Sequence, residues 1–225
     1  MDFFAIGLPP GLAIAALAAA FLALAWSAWR APWARLADTF RLHGFLGASL
    51  ALALAWRLSA EAAPGLAIHL LGTAAAALMF GPRLATFAAA IAVVVLTAWK
   101  GGVWANAGMN LLLLGALPAW AMEGFRRAVE RWLPPNLFVY LIVIAFLGPG
   151  LVFAASVFAA TALQLAAGAF APATVLDHFL PYGLLLSWGE AFLSGMLIAI
   201  FVVYVPSWVA SFDDRRWIAR RGPGA

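Results

Sequence analysis

The side chains that could do chemistry are few in this 225-residue sequence, and they are scattered. His69 heads the run HLLGTAAAALMFGP, and Asn106 and Asn110 stand one helical turn apart in GGVWANAGMN. Asp177 and His178 are adjacent, and Glu190 lies within SWGEAFLSGM. Asp2 and the α-amino group of Met1 add a further carboxylate and an amine. Imidazole, carboxylate, carboxamide and amine groups carry protons, form hydrogen bonds and donate lone pairs. Which of these they do depends on whether the chain holds them in water or in hydrocarbon.

Composition answers that question. Hydrophobic residues make up 66% of the chain and charged residues only 10%, with a mean hydropathy of +1.01. Soluble domains sit at about half apolar and about a quarter charged, so this composition specifies a membrane protein. The absence of cysteine excludes disulfides, thiolate metal sites and a cysteine nucleophile. There is no HExxH or GxSxG motif and no paired intramembrane carboxylate, which argues against an intramembrane enzyme.

A span needs about 20 apolar residues, and the chain divides into about seven such runs. They are Leu8 to Trp29, Gly44 to Leu58, Pro64 to Phe80, Leu84 to Trp99, Gly108 to Phe125, Leu137 to Phe170 and Leu180 to Val205. The sixth is too long for one straight crossing, and Gly148-Pro149-Gly150 predicts a kink, a break or a short outer helix there. With the N-terminus outside, the inner side carries Arg30, Arg35, Arg41, Arg83, Arg126, Arg127 and Arg131, and the tail adds Arg215, Arg216, Arg220 and Arg221. Only Arg57 and Lys100 fall outside, and eleven basic residues against two is a positive-inside bias. The net charge of +4 is therefore a topology signal and not a nucleic-acid surface. The expectation is an all-α polytopic membrane protein with its N-terminus outside and its C-terminus cytoplasmic. Residues 1–206 read as a single transmembrane domain and 207–225 as a short basic tail. Met-Asp-Phe-Phe lacks the basic start of a signal peptide, so the first run reads as a retained span.

Most polar residues then become interfacial. Trp26, Trp29, Trp33, Trp99, Trp132, Trp208 and Trp217 fall near span ends, as an aromatic belt does. FDDRRW reads as a solvated cytoplasmic flank, and His43 beside Arg41 as an inner interfacial residue. His69, Asn106, Asn110, Asp177, His178, Glu190, Asp2 and the Met1 amine all fall in the outer half. A carboxylate in a span faces a bundle interior or a cavity, which makes Glu190 a site candidate. Polar groups gathered at one end describe a pocket for an external solute. The alternatives stay open for each residue: a capping histidine at 69, a structural partner for Glu190, a loop tie at Asn110, and a solvated His178.

The same residues resemble a family. HLLGTAAAALMFGP is similar to the segment of CbiM/NikM-type cobalt and nickel capture subunits in which a histidine precedes a small-residue span ending in Gly-Pro. GGVWANAGMN resembles that family's GG-x-T-T-x-G-A-N segment: Gly102, Gly108 and Asn110 match, while Ala105 and Asn106 stand where threonines are usual. GEAFLSGML is similar to a late Glu-x-x-x-[ST]-G span through Glu190, Ser194 and Gly195. MDFFAIGLPP resembles the family's Met-His-Ile-Pro-Asp-Gly-Phe start.

The resemblance implies a membrane subunit of an energy-coupling-factor transporter, multi-pass in the bacterial cytoplasmic membrane. It captures Ni²⁺ or Co²⁺ as substrate and works with an energising transmembrane subunit and an ABC ATPase. No GxxxxGK[ST] motif occurs, so ATP hydrolysis belongs to partners. In the family the metal is held by the free N-terminal amine, the second residue's backbone nitrogen and imidazole, and the downstream histidine. An all-nitrogen set of that kind suits these ions. Here residue 2 is aspartate. The implied ligands are Met1, Asp2 and His69, with Asn110 and Glu190 orienting them and His178 able to supply a second imidazole. A non-transporting binding or assembly protein on the same scaffold is the alternative. The first run also carries Ala15, Ala19 and Ala23 at four-residue spacing, with Ala16 and Ala20 beside them, a face that permits close helix packing.

Overall fold

The computed structural model describes residues 3, 8–168 and 170–218. It is an all-helical bundle apart from one small hairpin. Helix α1 spans Pro10–Arg30, a 3₁₀ turn follows at Trp33–Ala37, and α2 spans Thr39–Arg57. Strands β1 (Ala60–Ala63) and β2 (Leu66–Ile68) pair antiparallel, with Ala60 opposite Ile68 and Glu61 opposite Ala67. Helix α3 (Thr73–Phe80) and α4 (Pro82–Lys100) follow. Residues 107–132 form α5, which carries a π-helical turn at Leu111–Ala116. Helix α6 runs Val139–Ala167, α7 runs Pro172–Tyr204, and α8 is the single turn Asp214–Trp217.

The bundle is apolar on its outer face as well as in its core, and the polar groups of its apolar runs are sealed inside. Ile14, Phe21 and Phe192 are more than 60% exposed, whereas His69, Asn106, Asn110 and Glu190 are at most 2% exposed. An apolar outer face with its polar groups buried is what hydrocarbon as solvent demands. Among the described residues, four helices (α1, α4, α6 and α7) are long and apolar enough to cross a bilayer.

One expected span takes another form, and one expected break is absent. The run Pro64 to Phe80 is not a span: Pro64-Gly65 makes the hairpin turn, and only Thr73–Phe80 is helical. Eight residues rise about 12 Å, far short of the roughly 30 Å hydrocarbon core. Gly148-Pro149-Gly150 does not break its helix either. The π-helical stretch Val139–Leu147 leads directly into Gly148–Ala167, so the proline sits at the start of the α-helical register, where its missing N–H is tolerated.

The short α3 is the element that positions the site, and it is held at both ends by distant chain. Beyond α7 the chain folds back, so that the amides of Ala210 and Ser211 donate to the carbonyls of Met79 and Leu78, which would otherwise be orphaned at the C-terminus of α3. The four charged residues of FDDRRW, which follow, are exposed as a solvated flank requires, while Phe212 is partly buried and Trp217 buried. The side chain of Asp213 caps α8, and the Tyr140 and Ser211 hydroxyls lie 2.8 Å apart. Trp217 is buried against Tyr140 and so does not belong to an aromatic belt.

On α1 the alanine face divides. Ala13, Ala16 and Ala20 are buried within the bundle, while Ala15 and Ala19 are exposed. A Cβ built on Gly108 would stand 2.6 Å from the backbone of Leu17, so glycine alone allows α5 to lie this close to α1.

Candidate metal centre

The segment 69–72, between β2 and α3, is non-helical backbone inside a membrane bundle. Each polar group there needs a partner from protein, because hydrocarbon offers none. Glu190 of α7 supplies two: one carboxylate oxygen accepts from the Leu71 amide at 2.9 Å and the other from the Gly72 amide at 2.7 Å. The indole N–H of Trp56 on α2 donates to the Leu71 carbonyl at 2.8 Å. The Gly72 carbonyl accepts from the Ala76 amide, which starts α3. Gly72 itself has φ of +67°, the left-handed region that glycine enters without strain.

His69 is held by this framework. Its Nδ1 lies 2.9 Å from the Leu70 carbonyl oxygen, and its ring centroid lies 6.0 Å from that of Trp56. A carbonyl has no proton to give, so Nδ1 is the donor, and in the neutral ring Nε2 carries the lone pair. An imidazole set in that tautomer by a carbonyl is the usual arrangement of a metal-ligating histidine.

A second anchor draws in the start of the chain. The carboxamide oxygen of Asn110 accepts from the Phe3 amide at 2.8 Å, and Asn106 donates to the Phe3 carbonyl at 2.7 Å. The Asn106 oxygen also faces the Leu8 amide at 3.3 Å. Phe3 is 2% exposed, packed in a cluster with Leu8, Ala16 and Met109.

Both anchors meet on α5. Thr73, the first residue of α3, donates its hydroxyl at 2.6 Å to the carbonyl of Leu114, which lies in the π-helical turn of α5. Leu114 stands one turn beyond Asn110, about 6 Å along the axis. One stretch of α5 thus holds the chain near its start and the segment that bears His69.

Of the residues singled out in the sequence, His69, Asn106, Asn110 and Glu190 are buried among these contacts. Met1 and Asp2 lie outside the described residues. His178 does not turn inward: it is part of a helix rather than a loop, within the π-helical turn Val175–Phe179, and it is exposed together with Asp177. A helical backbone fixes the direction of its side chain, and Val175 and Phe179 take the inward positions. Glu190 spends both oxygens on backbone amides, which makes it a positioning residue for the loop. Among the described residues no three histidines and carboxylates gather to hold an ion. Sequence reasoning missed Trp56 and Thr73. A lone tryptophan near a span end reads as belt, and a threonine in an apolar run reads as filler.

Residues 5–208 match the family described as CbiM, the cobalt uptake substrate-specific transmembrane region. The chain belongs to the CbiM family. The CbiM architecture recurs in solved structures. One, described as a truncated transition metal transporter, has a TM-score of 0.75 at 16% identity, covering 89% of this chain and 98% of its own. Another, described as a transition metal transporter, has a TM-score of 0.72 at 15% identity, covering 87% of this chain and 89% of its own. At such identities the likeness is one of fold. No curated protein matches the chain in sequence. As a CbiM member this chain is a multi-pass membrane component of metal uptake and not an enzyme.

Proposed function

We propose that this CbiM member is the substrate-capture subunit of an energy-coupling-factor transporter, taking up a divalent transition metal ion of the Ni²⁺ or Co²⁺ class. His69 supplies one imidazole nitrogen, and the Met1 amine and Asp2 supply the remaining donors. Asn110, with Asn106, tethers the start of the chain, and Glu190 holds the His69 segment in place. The observation that carries this reading is the 2.9 Å contact of His69 Nδ1 with the Leu70 carbonyl, on a loop whose neighbouring amides are pinned by Glu190.

The clustering of basic residues at the opposite end supports an outward-facing site in a bacterial cytoplasmic membrane, with the N-terminus outside. An energising transmembrane subunit and an ABC ATPase complete the transporter, since the chain has no phosphate-binding loop of its own. Replacing an imidazole at position 2 by a carboxylate changes an all-nitrogen set to a nitrogen and oxygen set. Selectivity then moves toward harder ions such as Mn²⁺.

The test is calorimetric titration of the full chain, purified with an unmodified N-terminus, with Ni²⁺, Co²⁺, Zn²⁺ and Mn²⁺. Stoichiometric binding that disappears in His69→Ala supports the capture role. Unchanged affinity in a folded His69→Ala protein defeats it.

A further inference from the structure

At the end of the bundle away from His69, a cavity of about 420 Å³ opens between α1, α4, α5 and the chain around α8. Five arginines line it (Arg30, Arg35, Arg83, Arg126 and Arg216) against three carboxylates (Glu123, Glu130 and Asp213). The carboxylates are already committed. Glu123 pairs with Arg126 and Arg127, Glu130 pairs with Arg126 and with Arg216 at 3.3 Å, and Asp213 caps α8. Arg30, Arg35 and Arg83 have no carboxylate partner among the described residues.

Arg83 is the central member. Its guanidinium lies 5.7 Å from the ring of Trp26 and 5.7 Å from that of Trp120, and those two rings are 4.7 Å apart. Its Nε is fully buried and makes no hydrogen bond. Indole faces steady a cation but accept no N–H donor in the guanidinium plane, so the fork of Arg83 is left with donors to spend. Arg30 and Arg35, both exposed, form the rim.

An uncompensated arginine fork beside a polar cavity fits a planar or tetrahedral oxyanion, and arginine binds phosphate through paired hydrogen bonds. Tryptophan belongs at the headgroup level of a bilayer, and basic pockets between membrane helices at that level take anionic headgroups. We propose that this cavity binds the phosphate of an anionic phospholipid headgroup, with Arg83 as its inner donor and Arg30 and Arg35 as its rim. The site is independent of the metal reading and draws on different residues.

The experiment uses the full chain in nanodiscs of phosphatidylcholine alone or mixed with phosphatidylglycerol, with lipid retention read by native mass spectrometry. Phosphatidylglycerol should be retained over phosphatidylcholine. Arg83→Gln should weaken that retention about fivefold, and Arg30→Gln and Arg35→Gln each by about as much. Arg57→Gln, at the other end of the bundle, should leave it unchanged. Inorganic phosphate that displaces the lipid at millimolar concentration would support the anion site but assign it to a soluble phosphate. Equal retention of the two lipids by the wild-type chain, with no effect of phosphate, overturns the proposal and leaves the cavity to an acidic segment of a partner protein. The wild-type comparison stands alone if Arg83→Gln does not fold.

Discussion

Glu190 and Gly72, 118 residues apart in sequence, meet in a hydrogen bond of 2.7 Å inside the bundle. The other oxygen of the same carboxylate takes the Leu71 amide, so one side chain on α7 replaces the two backbone partners that a continuous helix would have provided. The interruption is what lets His69 sit in an irregular loop instead of on a helical face.

Glu190→Gln is the sharpest test of that role. The carboxamide keeps one acceptor oxygen and presents an NH₂ group to an amide that needs an acceptor. Leaving one buried N–H unpaired should cost about 1–3 kcal/mol. Thermal unfolding in detergent should show the loss, and metal affinity should fall even though His69 is intact. Full affinity in this variant would refute the positioning role.

Trp56→Phe removes the indole donor and leaves the Leu71 carbonyl unpartnered at a fully buried position. The expected destabilisation is about 2 kcal/mol, again read as a lower unfolding temperature. Replacing Thr73 by valine should act through α5 instead. Interhelical hydrogen bonds in membranes average about 0.6 kcal/mol, so the stability change should be small. A change as large as that of Glu190→Gln would mean that the π-helical turn depends on this hydroxyl.

Asn106 and Asn110 hold the chain at Phe3 and Leu8. Asn110→Ala should therefore speed trimming of the purified protein by an aminopeptidase, and Asn106→Ala should do so as well. Equal trimming rates in wild type and both variants would show that these bonds do not secure the segment.

Two glycines on α5 offer a matched comparison. A Cβ at Gly108 would meet the Leu17 backbone at 2.6 Å, whereas one at Gly124 meets nothing within 4 Å. Gly108→Ala should separate α1 from α5 and lower the unfolding temperature. Gly124→Ala should be neutral or slightly stabilising, by up to about 1 kcal/mol. Comparable losses in both would remove the close-approach argument.

Much of this protein was legible without coordinates. The runs that became α1, α4, α6 and α7 are long and apolar, and length with hydropathy is all that a crossing requires. The candidates His69, Asn106, Asn110 and Glu190 stood out because polar groups in apolar runs are costly and therefore few. What sequence could not distinguish was a span from a hairpin plus half-helix over Pro64 to Phe80. Hydropathy reports removal from water and carries no information on chain direction. The course through Gly148-Pro149-Gly150 was hidden for a related reason, since a preceding π-helical turn changes where the proline falls in the hydrogen-bond ladder. The charges of FDDRRW are exposed as its sequence suggests, yet Trp217 fits against Tyr140 and Arg216 reaches Glu130, contacts that only the fold supplies. The sequence by itself determined the solvent this chain folds in and the short list of groups worth holding dry. Tertiary structure alone decided their partners, because Glu190 with Gly72, and Asn110 with Phe3, are pairings between residues more than a hundred positions apart. Local pattern reaches only a few residues along the chain, whereas a buried hydrogen bond is set by which helices close around it.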